Sequence, residues 1–437
     1  MLSKIIVLLT QNTFKKYFFN TSWLFIERIL KLIFNLIIIS MLTRFLGPKN
    51  FGLLSYSQSF VGIFIAFSTL GLESILVKEL VRKNNDTNKI LGTVFIIKLC
   101  ASFLALLILL ISTLYTNETE VRLLINIIGF MLIFQSLNLG MDTYFQANVK
   151  SRLSVICNLG VFVLSSILKL LLIVFKFDLI YFAYAIVLDS ALVFIGYLII
   201  YNHLNISIYS LKFDKKLAIY FLKTGWPMMF VALGVFLYTR VDQIMIRYFL
   251  DDKNVGYYSA ALRVSEFFNF IPLLIVQSIF PKIVKERNKK NEGAYRDLLL
   301  IIYKIVVWVS IPFVLIIATF RESIINILYG PDFSYSSDIL LILISNLLLY
   351  AIGSVNTKIL YVENYEIKYM KRSILGVVTN IFLNFILIPL FGEIGAAYST
   401  LITLFSIHYI YDLFDEDLNK FFMLKIKCFI PNSKISK

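Results

Sequence analysis

Long apolar runs separated by short polar gaps recur from one end of this chain to the other. A helix needs about 20 mostly apolar residues to cross the hydrocarbon core of a bilayer. Measured with that ruler, the sequence predicts twelve spans: 23–46, 51–72, 89–115, 122–147, 154–175, 179–201, 219–249, 255–280, 297–319, 337–361, 371–391 and 393–414. The gaps are too short for a folded soluble domain. Within lipid each span must satisfy its own backbone hydrogen bonds, which makes it a helix. The expected fold class is all-α, a polytopic membrane protein of about twelve transmembrane helices.

The composition agrees: 59% of the 437 residues are hydrophobic and 16% charged, against about half and a quarter in a soluble domain. The net charge of +15 raises the question of nucleic acid. Its placement answers it. Of the 42 lysines and arginines, 27 fall in the gaps on one side, 7 in those on the other and 8 within spans. The richer side holds Lys15, Lys16, Lys78, Lys150, Lys212, Lys285, Lys371 and Lys420. Basic residues stay on the cytoplasmic side, so both termini are expected in the cytoplasm. Cys100, Cys157 and Cys428 suggest no disulfide and no metal spacing, and two histidines leave little for a metal or His-based site. The N-terminal "MLSKIIVLLTQNTFKK" has an apolar run too short to span and no small-residue cleavage site, so a retained interfacial segment is expected.

The chain also repeats. "RFLGPKNFGLLS" (44–55) aligns with "YFLDDKNVGYYS" (248–259) at a constant offset of 204, matching Phe45/Phe249, Leu46/Leu250, Lys49/Lys253, Asn50/Asn254, Gly52/Gly256 and Ser55/Ser259. Both stretches join the first span of a half to its second. A weaker echo, "FDLIYFAY" (177–184) and "FGEIGAAY" (391–398), closes each half. The expected organisation is a six-helix bundle over 1–201, a cytoplasmic loop over 202–218, a second six-helix bundle over 219–414 and a basic cytoplasmic tail over 415–437. Six spans per half give both halves one orientation, with a pseudo-two-fold along the membrane normal and a ligand site between them near the midplane. Gly47-Pro48 ends the first span. Pro227, Pro272, Pro312 and Pro389 mark candidate kinks or local packing adjustments.

The stretches 44–82, "VDQIMIRYFLDDKNVGYYSAALRVSEFFNFIP" (241–272) and "FGEIGAAYSTLIT" (391–403) resemble the bacterial O-antigen and polysaccharide flippases of the multidrug/oligosaccharidyl-lipid/polysaccharide exporter superfamily. The resemblance implies an alternating-access transporter in the bacterial inner membrane. Its cargo would be an oligosaccharide on a polyprenyl pyrophosphate. A polysaccharide polymerase and a chain-length regulator are its implied partners, with no nucleic acid.

Such a cargo gives meaning to charges inside the spans, each of which costs about 2.5–3.5 kcal/mol at a bilayer centre on insertion scales. Cations facing a wet cavity would offset a pyrophosphate, and arginine's planar fork suits phosphate best. The candidates are Arg28, Lys31, Lys98, Arg240 and Arg263. Arg28 and Lys31, with Glu27, lie in the cytoplasmic third of the first span, where snorkelling is the alternative. Arg240 and Asp242 are two apart and point to different faces, so each needs a partner elsewhere. Arg263 and Glu266 are three apart, so they either pair with each other or face cargo; the resemblance implies a cavity arginine at 263 and an acid at 242. Lys98 and Lys169 either bind cargo or neutralise acids such as Asp189. Asp242, Glu266 and Asp189 are the candidate ion-coupling or structural acids. Lys304, Lys358, Asp142 and His408 lie nearer the inner ends and read as snorkelling.

No phosphate-binding Gly-x-x-x-x-Gly-Lys-Ser/Thr loop is present, so energy must come from an ion gradient, if anywhere. No cofactor is expected beyond a coupling ion, and Na+ and H+ both stay open. Three rivals compete. A membrane polymerase needs a long catalytic outer loop, and the longest, 320–336, reads as a turn. A multidrug exporter of the same fold should have an acidic cavity. A lipid II flippase usually has fourteen spans.

Overall fold

The computed structural model describes residues 12–430 except 83–85, 205, 207–210 and 290, with backbone alone at 12–19, 21 and 74. The interfacial N-terminal segment expected above lies outside the described residues as far as Gln11, and Lys4, Lys83, Lys290, Lys434 and Lys437 lie outside them too. The helices are α1 (Asn12–Thr69), α2 (Glu73–Arg82), α3 (Thr87–Thr113), α4 (Thr119–Gly129), α5 (Met131–Ala147), α6 (Ser151–Val174), α7 (Leu179–His203), α8 (Lys215–Phe249), α9 (Asp252–Phe267), α10 (Phe270–Asn288), α11 (Glu292–Thr319), α12 (Arg321–Tyr329), α13 (Ser336–Val362), α14 (Glu366–Phe391), α15 (Glu393–Phe405), α16 (Tyr411–Phe414) and α17 (Asn419–Lys427). No strand occurs among the described residues.

Ten helical stretches among the described residues are long and apolar enough to cross a membrane. The first, Ser22–Thr69, is 48 residues long and carries two expected spans end to end. Gly47 separates them with φ 68 and ψ 173, a conformation open to glycine and costly for other residues. The expected last span is split into α15, a π segment over Ser406–Ile410 and α16, so no single piece has spanning length. Counting α1 twice and this broken run once gives the twelve expected spans.

Prolines break the helices at one of the expected places. The eighth span divides into α9 and α10 at Phe268 and Asn269. Pro272 removes a helical donor, and its ring clashes with the carbonyl four residues back, that of Phe268. Pro227, Pro312 and Pro389 stay inside continuous helices.

Contacts divide the chain into two units. One comprises residues up to Phe45 with Phe60–Met229; the other comprises Leu46–Ser59 with Phe230–Lys437. The first has its core around Leu72, Leu76, Val94, Phe145 and Phe221. The second is built around Leu299, Val306, Ile352 and Val355.

The segment Leu46–Ser59 packs into the second unit because the repeated glycines let it. A Cβ at Gly52 would stand 1.7 Å from the Asp252 carbonyl oxygen, and one at Gly256 2.0 Å from that of Pro48. The two copies of the repeat thus cross backbone to backbone, each at the glycine both share. A buried chain runs alongside: the Ser59 hydroxyl donates to Gln243 Oε1, and Gln243 Nε2 donates to Ser259 Oγ at 2.9 Å. Gly256→Ala is expected to destabilise the protein at least as much as overpacking a core, about 1–3 kcal/mol. Thermal unfolding in detergent measures it, and an unchanged Tm would contradict the crossing.

The second unit also buries a polar network where α11, α13, α14 and the last span meet α17. Arg372 is 3% exposed; its Nε donates to the Ile407 carbonyl, and its Nη2 lies 3.0 Å from His408 Nδ1. Lys425 of α17 is fully buried and donates to the His408 carbonyl at 2.7 Å and to Asp412. With its oxygen turned toward Arg372 (2.9 Å) and Lys425 (3.1 Å), the Asn356 amide accepts from both and donates to Tyr303. Burial pulls the Lys425 ammonium down to about 8, against the opposing pull of Asp412. Two expectations change here. His408 is buried in this network rather than snorkelling. The basic tail includes a helix pinned into the bundle by its own lysine.

Candidate functional site

The charges expected in the membrane sort into pairs and one distinctive cluster. In the first unit, Lys31 donates to Glu27 at 2.7 Å, one turn away on α1. Arg28 beside them is exposed and forms no ion pair among the described residues. Lys169 donates to Asp189 at 2.5 Å, joining α6 to α7.

Lys98 is 1% exposed, and its ammonium meets Glu73 at 2.6 Å. Its stem lies in an apolar pocket with Leu76, Leu91, Val94 and Leu137, and this pair ties α3 to α2. Removing one partner of a fully buried pair costs about 3–5 kcal/mol because the other charge is stranded. Glu73 keeps 32% of its surface, so Lys98→Met is expected to sit at the lower end. Adding Glu73→Gln should recover part of the loss, and a double mutant no more stable than the single would contradict this pairing.

The cluster lies in the second unit, on α8, α9 and the crossing segment. Arg240 Nη2 donates to Glu266 Oε2 at 2.8 Å, with both side chains 30% exposed. Arg263 Nη2 donates to Gln58 Oε1 at 3.1 Å, and its guanidinium lies 5.8 Å from the Phe51 ring centroid. Arg263 has Arg240 and Glu266 as charged neighbours and forms no ion pair among the described residues. Within this trio, two arginines against one glutamate leave one positive charge over; the Asp242 carboxylate is engaged separately, by neutral donors. At 1.5 Å per residue, Arg240 lies about 14 Å from the C-terminal end of α8 and Arg263 about 17 Å from the N-terminal end of α9, near the middle of a core about 30 Å thick. The partners differ from the simplest sequence pairing: Glu266 bridges to the neighbouring helix, and Arg263 turns to an amide.

One helical turn or less away in sequence, Asp242 is fully buried. Tyr258 donates to it at 2.5 Å, Asn384 at 2.6 Å and Asn380 at 3.1 Å, and the Thr400 hydroxyl donates as well. All four partners are neutral. An ionised carboxylate out of water is expensive unless hydrogen bonds or a counter-charge offset it. Asn384 Oδ1 is buried with no hydrogen bond, so this nest has an oxygen to spare. The sequence reading marked Asp242 but not its ring. Asn380 and Asn384 stand four apart in a stretch, 374–391, whose one other polar side chain is Thr379, and that spacing was the available signal.

The comparisons place the fold first. Two solved structures share it. A multidrug resistance MATE family transporter in an inward-facing conformation has TM-score 0.70 at 14% identity, over 89% of this chain and 95% of that one. The lipid II flippase MurJ, inward closed, has TM-score 0.70 at 18% identity, over 94% and 91%. Residues 18–286 match the polysaccharide biosynthesis protein family, and residues 227–386 match MatE. With more than half of its length matched, the chain belongs to the polysaccharide biosynthesis protein family. Among curated relatives, the probable flippase AglR of Haloferax volcanii is 28% identical over 55% of this chain and 50% of its own length. The probable low-salt glycan biosynthesis flippase Agl15 of the same organism is 27% identical over 39% and 36%. The chain thus spans half or less of the curated relatives it matches.

Proposed function

We propose that this protein is a flippase that carries oligosaccharide repeat units, linked to a polyprenyl pyrophosphate, across a cytoplasmic membrane by alternating access. The surplus positive charge of Arg240, Glu266 and Arg263, deep in the spans of the second unit, carries the reading. A pyrophosphate crossing hydrocarbon needs a counter-charge held at mid-depth, and a guanidinium offers it two parallel hydrogen bonds. Arg28, exposed on the first span, is the natural first contact on the cytoplasmic side. Both termini are assigned to that side by the distribution of lysine and arginine. The repeat unit of a bacterial surface polysaccharide such as O-antigen is the assigned cargo, with its polymerase and chain-length regulator as downstream partners. Family membership and the two flippase relatives support the class of cargo.

Coupling is assigned to the Asp242 nest. Its single negative charge and the oxygens of Thr400, Tyr258 and the two asparagines suit a hard monovalent cation or a proton. The MatE match and the MATE likeness favour a second reading, a multidrug exporter. A cationic drug would meet the surplus arginine charge unfavourably, which ranks that reading below the first.

The test is a deletion strain lacking any redundant flippase, assayed for lipid-linked oligosaccharide retained in the inner leaflet. Retention, relieved by the restored gene, is expected. Normal surface glycan in that strain would overturn the proposal.

A further inference from the structure

The C-terminal helix α17 has two apolar faces, and the protein covers only one. Phe421, Leu424, Lys425 and Cys428 are buried. On the other side Met423 is 54% exposed, Ile426 43%, Phe429 42% and Ile430 53%. A surface helix facing water carries polar residues there. Between Leu418 and Ile430 the sequence has three lysines and no acid; Lys425 points inward, and Lys420 and Lys427 are half-buried at the flanks.

The helix is held at a definite level. Lys425 reaches the His408 carbonyl inside the bundle. One turn further on, the Cys428 carbonyl accepts from Trp308 Nε1 at 3.1 Å. On α11, Ile301, Ile305, Trp308 and Val309 form an exposed stripe at helical spacing. Such a stripe on a spanning helix faces lipid. Cys428 brings the bare face of α17 against that stripe, and Lys425 ties the helix to His408 and Asp412 at the end of the last span, so the face continues a lipid-facing surface at that end.

We propose that α17 and the turn that follows it form an interfacial anchor whose Met423, Ile426, Phe429 and Ile430 sit among the lipids of the leaflet on the C-terminal side, with Lys420 and Lys427 on anionic headgroups. Amphipathic helices of this kind bury their apolar face about 5–10 Å below the headgroups, and a basic residue near an anionic surface contributes about 1 kcal/mol. Lys425 fixes the helix from within, and lipid fixes it from without. The inference depends on the membrane topology and not on the identity of the cargo.

The test uses the full-length protein in nanodiscs, with Cys100→Ser as background. Met423→Cys, Ile426→Cys and Ile430→Cys, each carrying a fluorophore, are compared with Asp417→Cys. Quenching by brominated acyl chains and by aqueous iodide is measured in phosphatidylcholine and in phosphatidylglycerol-rich discs. All three positions are expected to be quenched by brominated lipid and to show at least a severalfold lower iodide quenching than position 417. The difference should widen in anionic discs and shrink with Lys420→Gln and Lys427→Gln. Iodide access equal to that at 417, shielding from both quenchers, as under a protein partner or a second copy, or indifference to headgroup charge would each overturn the proposal.

Discussion

Arg240→Ala and Arg263→Ala should each abolish complementation of a flippase-deficient strain, while Lys285→Ala leaves it intact. A hydrogen bond to a charged group contributes about 1.5–3 kcal/mol. Losing one bidentate arginine therefore removes roughly two such bonds from the cargo, a fall of about a hundredfold or more in effective affinity at 1.4 kcal/mol per tenfold. Arg240→Lys keeps the charge and loses the fork, so an intermediate defect is expected. Glu266→Gln acts the other way. It frees Arg240 from its 2.8 Å partner and raises the surplus charge, so cargo should bind more tightly and leave more slowly. Titration with the lipid-linked substrate and single-turnover flipping separate those two effects. Equal tolerance at Arg240, Arg263 and Lys285 would remove the electrostatic argument.

The second large effect is expected at Asp242. Asp242→Asn keeps the shape and the four neutral neighbours but removes the charge. Burying a carboxylate costs free energy, so the variant should be at least as stable as the parent in thermal unfolding. Transport driven by an ion gradient should still collapse. Coupling free energies of about 1–3 kcal/mol correspond to roughly 5–150-fold, and the loss should fall in that range. Flipping measured with a Na+ gradient at fixed pH, and with a pH gradient at fixed Na+, identifies the ion. A variant that keeps full gradient dependence would exclude the nest from coupling. Removing Asn384's side-chain oxygen, as in Asn384→Leu, should weaken ion dependence less than removing the carboxylate, because no charge is lost.

Much of this fold could be read from periodicity. The twelve apolar runs, the 204-residue offset and the Gly47 break are all local signals, and local signals survive in one dimension. Partners are not local. The need of Arg240 and Asp242 for separate partners followed from their two-residue spacing, but nothing in the sequence said that Arg240 meets Glu266 across helices or that Arg263 reaches Gln58, 205 positions away. The matching glycines 52 and 256 mark a repeat; their approach to the other copy's backbone exists only in the folded chain. Charge counting also says nothing of burial. Arg372 and Lys425, two of the 27 basic residues on the richer side, are both buried and structural. A basic residue at the end of a span can serve topology and packing together, and hydropathy alone does not separate the two.

The most direct test of the central claim is flipping of a fluorescent polyprenyl-pyrophosphate oligosaccharide by the purified protein in proteoliposomes. The side of exposure is read by a membrane-impermeant quencher. The parent protein should move the lipid across the bilayer, and the double variant Arg240→Ala/Arg263→Ala, folded by thermal unfolding, should not. Flipping by that double variant at the parent rate would contradict the account.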